Sequence, residues 1–205
     1  MTKVKICGLR EPQHVQAAVD AGVDAVGFVF APSRRRVAIA QAKELARFVP
    51  AHVMKIGVFV NAGREEMEQA FREVPLDFVQ YHGDEPEGFI KTVGLPSIKV
   101  LSVHSGEDVK RATQYEADYF LFDTPGTDFK GGSGMTFDWA LMNNIGIQAD
   151  RVILAGGLNV ENVMEAVRRV QPHMVDVSSG VESMKRKDSH LIRAFIQAVR
   201  DEERL

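Results

Sequence analysis

The chain has 205 residues, 45% hydrophobic and 26% charged, with a formal net charge of −3. That is enough apolar material for one cored domain, too balanced in composition for a disordered segment, and short of the basic excess that nucleic-acid binders carry. Its single cysteine excludes an internal disulfide, and neither a signal-peptide core nor an apolar run near the ~20 residues of a membrane span is present, so a cytoplasmic protein is expected.

Eight short β-branched or aromatic runs follow one another along the chain. They are "KVKICG" (3–8), "AVGFVF" (25–30), "KIGVFV" (55–60), "FVQYHG" (78–83), "SIKVLSV" (97–103), "YFLFDT" (119–124), "RVILAG" (151–156) and "MVDVSS" (174–179). Helical patterns separate them. In "EPQHVQAAVDAG", Val15, Ala18 and Val19 share a face, Pro12 suits the first turn and Gly22 the stop. In "REEMEQAFREVP", Met67, Ala70, Phe71 and Val74 fall at i, i+3, i+4 and i+7 before Pro75. Val163, Ala166, Val167 and Val170 repeat that spacing, with Asn159 as the expected N-cap. In the last helix Leu191, Phe195 and Val199 form one stripe.

Strands alternating with helices imply parallel pairing through crossovers. Eight such units predict a single (β/α)8 TIM barrel over residues 1–205, with a doubly wound open sheet as the alternative. The helix faces carry no evident exposed apolar strip, so a monomer is expected rather than a homodimer. The chain ends just after its last helical pattern, as a free-standing domain would.

Period-2 alternation sorts strand residues by direction. Val4 and Ile6 suit the helix side, so Lys5 and Cys7 point inward. By the same parity Leu121 and Asp123, and Asp176 and Ser178, face the axis. Cys7 and Asp123 thus end different strands at the face where this fold keeps its active sites. Alternative roles remain open for both: Cys7 as a small buried hydrophobe, Asp123 as a brace for the loop Thr124-Pro125-Gly126. Lys5, Lys99 and Asp176 all read as lumen residues, and the cost of unpaired buried charge predicts a lysine–carboxylate pair beneath the site.

Two turns suit a phosphate. Gly156-Gly157 follows the seventh strand and Ser178-Ser179-Gly180 the eighth. Small residues let backbone N–H groups approach an anion, and this region of a barrel often holds one. The glycine-rich "DFKGGSGMTFDW" (128–139) reads as a loop able to cover a ligand. In "PSRRRVA", one of Arg34, Arg35 and Arg36 reaching over the mouth would grip a carboxylate; otherwise the run is solvated surface. His82 ends the fourth strand and either meets ligand or pairs with a loop carbonyl.

The ordered set "KICG", "DAVGFVFAPSRR", "GVFVN", "VQYHG", "FDT…GGSG.TFDW", "LAGGLNVENV" and "VDVSSGVE…KD" resembles the phosphoribosylanthranilate isomerase family across essentially the whole chain. The resemblance implies a (β/α)8 enzyme of tryptophan biosynthesis that performs an Amadori rearrangement on a small phosphorylated substrate, without metal or other cofactor. It implies Cys7 as general base, Asp123 as general acid, Arg36 on the substrate carboxylate, and phosphate on Gly156, Gly157, Ser178, Ser179 and Gly180. Two positions depart from the family pattern: Met135 follows "GGSG" where a lysine or other polar residue is usual, and Arg10 follows "KICGL" where threonine or asparagine is common. Other phosphosugar isomerases and lyases on related barrels, or a non-catalytic phosphosugar-binding barrel, are the competing readings.

Overall fold

A computed structural model of the chain describes residues 1–125, 136–143 and 145–202. Each of the eight predicted runs forms a parallel strand. They are β1 (Lys3–Cys7), β2 (Ala25–Val29), β3 (Met54–Phe59), β4 (Phe78–Tyr81), β5 (Ser97–Ser102), β6 (Tyr119–Asp123), β7 (Val152–Leu154) and β8 (Met174–Val177). They close in sequence order, with β1 paired to β8, so the open-sheet alternative is excluded and the fold is a TIM barrel. Among the described residues seven α-helices surround it: α1 (Pro12–Asp20), α2 (Ile39–Ala46), α3 (Arg64–Glu73), α4 (Glu87–Val93), α5 (Gly106–Lys110), α6 (Val163–Val170) and α7 (Ser189–Glu202).

Side-chain parity divides the interior as alternation requires. Val4, Ile6, Phe120, Phe122, Val175 and Val177 join the layer between sheet and helices, whereas Ala25, Ile56, Leu121 and Ile153 fill the lumen. Lys5 is fully buried and its Nζ lies 2.9 Å from Asp176 Oδ2, the expected pair. The two residues are register partners across the β1–β8 seam that closes the barrel.

Lys99 departs from the reading. Ile98 and Val100 take the lumen positions of β5, so Lys99 points to the helix side. There its ammonium meets Glu85 Oε2 at 2.7 Å and the Gly83 carbonyl at 2.8 Å. Glu85 also accepts from the N–H groups of Asn61 and Gly83, which pins the turn after β4. Burial pushes the Glu85 carboxyl up, but Lys99 and these N–H donors outweigh it and hold the group below its ordinary value. Glu85→Leu is expected to strand the Lys99 ammonium and to lower unfolding free energy by about 3–5 kcal/mol in urea titrations. Because the folded affinity for the proton is depressed, the pair's contribution is present above the ordinary glutamate range. It is lost as pH falls through the lower folded value.

Three further details differ from expectation. Asn159 caps a leading turn instead of the helix proper: its Oδ1 accepts from the N–H groups of Glu161 and Asn162, and α6 begins at Val163. Between β6 and β7 the described residues form two 3-10 turns, Trp139–Met142 and Ala149–Arg151, in place of a helix. Asp138 starts the first of them by accepting from Ala140 N–H, and Gly146 at φ 74° turns the chain away. Beyond β8 a small antiparallel hairpin, β9 (Glu182–Ser183) with β10 (Arg186–Lys187), was not anticipated. Its turn residues Met184 and Lys185 take φ of 47° and 64°, and neither is the glycine or asparagine that would have signalled it.

No helix of the described residues is long and apolar enough to cross a membrane. Their exposed large hydrophobics, Met1, Phe48 and Met184, stand in separate parts of the sequence.

Candidate active site

A cavity of about 430 Å³ opens at the C-terminal ends of the strands. Cys7 and Asp123 both line it, from β1 and β6 on different sides of the barrel. Each is nearly buried, at 7% and 6% exposure, so both side chains lie below the rim. Gly156, Gly157, Ser178 and Ser179 line the same space.

The two small-residue turns pack on their neighbours without room for a side chain. A Cβ on Gly156 would sit 2.3 Å from the backbone nitrogen of Thr124, and Gly156 and Gly157 have φ of 83° and 65°. A Cβ on Gly180 would lie 1.9 Å from the Leu158 carbonyl oxygen. Gly180 therefore braces the turn after β7 against the turn after β8, which begins the 3-10 turn Ser179–Val181. Since that obstacle is backbone, Gly180→Ala is expected to push the two turns apart. Inorganic phosphate, measured by calorimetric titration or as a competitive inhibitor, should bind at least ~10-fold more weakly, a cost near 1.4 kcal/mol.

Burial pushes the Cys7 thiol above its ordinary value, and the Asp176 carboxylate adds to this. The ammonium groups of Lys5 and Lys187 pull the other way without overcoming it. These surroundings favour the thiol over the thiolate that base chemistry needs.

His82 lines the cavity, where a ligand would meet it, and its ring pairs with side chains instead of a loop carbonyl. Its Nε2 is 3.5 Å from Asp123 Oδ2 and its Nδ1 is 3.3 Å from the side-chain nitrogen of Gln80. Gln80 is buried on β4 and also lines the cavity, which makes a run Gln80–His82–Asp123 along one wall. Alternation placed Gln80 two residues before His82 on the same inward face, so this contact was available from sequence.

The arginine run is divided. Arg35 lines the cavity but is held by Glu182, at 2.6 Å from Nε to Oε1 and 3.1 Å from Nη2 to Oε2. Arg34 reaches the same carboxylate at 2.5 Å. Arg36 lies outside the cavity lining with its side chain exposed, and among the described residues its guanidinium has no ion-pair partner. Its backbone lies beside Val29 at the end of β2, which sets it at the rim. Arg10 does brace its loop: its guanidinium donates to the Arg34 carbonyl at 2.5 Å.

Glu182 is a hub that sequence reasoning missed. Besides Arg34 and Arg35 it accepts from Lys187 Nζ at 3.0 Å, and Lys187 in turn donates to the Ser178 carbonyl at 2.7 Å. Burial pushes Glu182 up, but Arg35 and Lys187 outweigh it and bring it down to about 2. Burial lowers Lys187 to about 8 despite Glu182. Among the described residues no group of histidine, cysteine and carboxylate side chains is arranged to hold a metal. Met135, Gly126 and most of the loop 128–139 lie outside the described residues.

A model of the family described as N-(5'phosphoribosyl)anthranilate (PRA) isomerase matches residues 4–198. The chain belongs to the phosphoribosylanthranilate isomerase family. It is an isomerase of tryptophan biosynthesis that acts on phosphoribosylanthranilate. An N-(5'-phosphoribosyl)anthranilate isomerase from Bacillus cereus is 48% identical over 195 residues, covering 95% of this chain and 96% of the relative. One from Listeria welshimeri is 46% identical, covering 98% and 99%. A crystal structure of the phosphoribosylanthranilate isomerase of Thermotoga maritima superimposes with a TM-score of 0.90 at 37% identity, covering 98% of this chain and all of the other. A further phosphoribosylanthranilate isomerase, at TM-score 0.86 and 36% identity and with 98% and 100% coverage, holds reduced 1-(o-carboxyphenylamino)-1-deoxyribulose 5-phosphate. The Thermotoga isomerase is dimeric and has also been obtained as monomers, so both states occur on this fold.

Proposed function

We propose that the chain rearranges N-(5-phosphoribosyl)anthranilate to 1-(2-carboxyphenylamino)-1-deoxyribulose 5-phosphate by acid–base catalysis, with Asp123 as general acid and Cys7 as general base. The observation that carries this reading is the shared cavity: a thiol and a carboxyl on different strands, with two small-residue turns beside them. In the first step a protonated Asp123 donates to the ribose ring oxygen, the ring carbon–oxygen bond breaks, and the nitrogen lone pair forms a Schiff base. That positive nitrogen acidifies the proton on the adjacent carbon. Cys7, once its thiol proton has passed to solvent, removes it as thiolate; the electron pair left behind neutralises the nitrogen to give the enol, and this becomes the ketose as a proton returns to carbon and the hydroxyl proton leaves.

The remaining residues serve placement. Backbone N–H groups of Gly156, Gly157, Ser178, Ser179 and Gly180 take the phosphate, where they add to the start of α6. The Arg36 guanidinium, without an ion-pair partner among the described residues, takes the anthranilate carboxylate, with Arg35 already committed to Glu182. Gripping both ends of the ligand fixes the ribose between acid and base and removes much of the entropic cost of bringing them together. His82 steadies Asp123. The ligand is a small phosphorylated molecule, and the scheme calls on no metal or other cofactor.

The test mixes purified protein with phosphoribosylanthranilate generated in place and follows the loss of its fluorescence. Rapid loss, with mass-spectrometric appearance of the ketose at unchanged mass, is the expected result. Binding of the compound without turnover would overturn the acid–base assignment. Arg36→Ala is expected to raise KM at least ~10-fold with kcat nearly unchanged, the pattern of lost uniform binding.

A further inference from the structure

Cys7 sits in a buried array of charges that the proposed chemistry has not yet used. Two residues before it on β1, Lys5 is fully buried, and its partner Asp176 is 8% exposed. Gly27 on β2 lies against both: a Cβ built there would be 2.9 Å from Cys7 Sγ and 3.2 Å from Lys5 Nζ. The thiol and the ammonium therefore flank one small space that glycine leaves open. Asp176 binds Lys5 through Oδ2 alone; Oδ1 is buried, has no hydrogen-bond partner among the described residues, and belongs to a side chain that lines the cavity. Most buried polar atoms are paired, so the open oxygen is an exception that calls for a reason.

We propose that Lys5 and Asp176 are positioning residues that set the protonation of Cys7, with Lys5 as one cation shared between two competing anions, the Asp176 carboxylate and the Cys7 thiolate. In the resting site Asp176 holds the ammonium and Cys7 keeps its proton. Forming the thiolate beside Lys5 leaves a buried cation with two anionic neighbours, which is electrostatically tolerable. Forming it without Lys5 would place two anions side by side in the lumen. This assignment rests on Cys7 being the base.

The other charged or titratable groups facing Cys7 come from every wall of the cavity. Asp123 comes from β6, His82 from the end of β4, Arg35 from the turn after β2 and Lys187 from β10. Glu182 already binds Arg35 and Lys187, and His82 neighbours Asp123. Lys5 is the buried cation whose partner retains an open oxygen.

Because Cys7 is the only cysteine in the chain, iodoacetamide reports on it alone. The rate of alkylation, followed by mass spectrometry from acid to alkaline pH, gives the thiol's titration midpoint without any substrate. Asp176→Asn removes the competitor, so Cys7 becomes the counter-ion of Lys5 and its midpoint moves down, with alkylation at neutral pH at least ~10-fold faster. Lys5→Met removes the cation and moves the midpoint up, with alkylation at least ~10-fold slower. The double variant Lys5→Met/Asp176→Asn strands no charge and serves if a single variant fails to fold. Its midpoint is expected above that of the unmodified protein, because the cation that flanks the thiol across the Gly27 space is gone. In kinetics the acidic limb of the kcat profile should move with the alkylation midpoint.

Midpoints that stay together in all three variants, or single variants that move in the same direction, would overturn the proposal. The assay is independent of turnover. Shifted midpoints in a protein that fails to consume phosphoribosylanthranilate would leave the array standing and remove the reaction; normal turnover with unmoved midpoints would do the reverse.

Discussion

Cys7→Ala is expected to reduce kcat by about 10²–10⁴-fold while leaving the protein folded and able to bind ligand, which is the range for loss of a positioned general base. The side chain removed is small, and the groups assigned to phosphate and carboxylate lie on other elements: the turns after β7 and β8 and the arginine run after β2. Circular dichroism and urea unfolding should change little, and calorimetric binding of reduced 1-(o-carboxyphenylamino)-1-deoxyribulose 5-phosphate should persist within a few-fold. The loss should therefore fall on kcat, with KM nearly fixed. Turnover equal to the unmodified protein would move the base to another group, and Asp176 would be the first to examine, since it lines the same cavity. Cys7→Ser makes the argument sharper. It keeps the shape of the side chain but replaces the thiol with a hydroxyl, a much weaker acid, and it should be nearly as inactive as alanine.

Asp123→Asn is expected to lower kcat by a similar ~10²–10⁴-fold, through the first step instead of the second. Asparagine keeps the outline of the side chain but cannot deliver a proton to the ring oxygen. His82 Nε2 would still face an oxygen or an amide at about the present 3.5 Å, so the wall of the cavity should hold its form. His82→Asn should give an intermediate loss, because Asp123 is then present but less firmly held. Asp123→Asn with full activity would exclude Asp123 as the donor and make His82 the nearest candidate.

The barrel was legible because its signal repeats. Eight β-branched runs at similar spacing permit few other topologies, and parity alone placed Lys5 and Asp176 in the lumen, where the structure pairs them. Parity failed for Lys99 because "SIKVLS" carries apolar residues on both faces of a strand covered on both sides; the alternation that sorts Val4 from Lys5 is absent there. Cys7, Asp123 and the two small-residue turns could be read because each ends a strand, where the fold fixes direction. Glu182 and Lys187 could not, since their meeting with Arg34, Arg35 and Ser178 depends on a hairpin whose turn, Met184-Lys185, bears no turn-forming residue. The 3-10 turn at Trp139–Met142 escaped for a related reason: "FDWALM" has helix-compatible residues, but among the described residues the segment stops after one short turn.

The ties of Glu182 have a consequence for how such a barrel could be altered, by nature or by design. One carboxylate fastens the turn after β2, through Arg34 and Arg35, to the segment after β8, through Lys187. Loops at the mouth of a barrel are commonly treated as interchangeable modules on a constant frame. Here these two form a single electrostatic unit, although nearly 150 residues of sequence separate Arg34 from Glu182. Grafting either alone onto a sister barrel would import half of a charge cluster and leave its remainder buried without a counterpart, so a successful transplant would have to carry both.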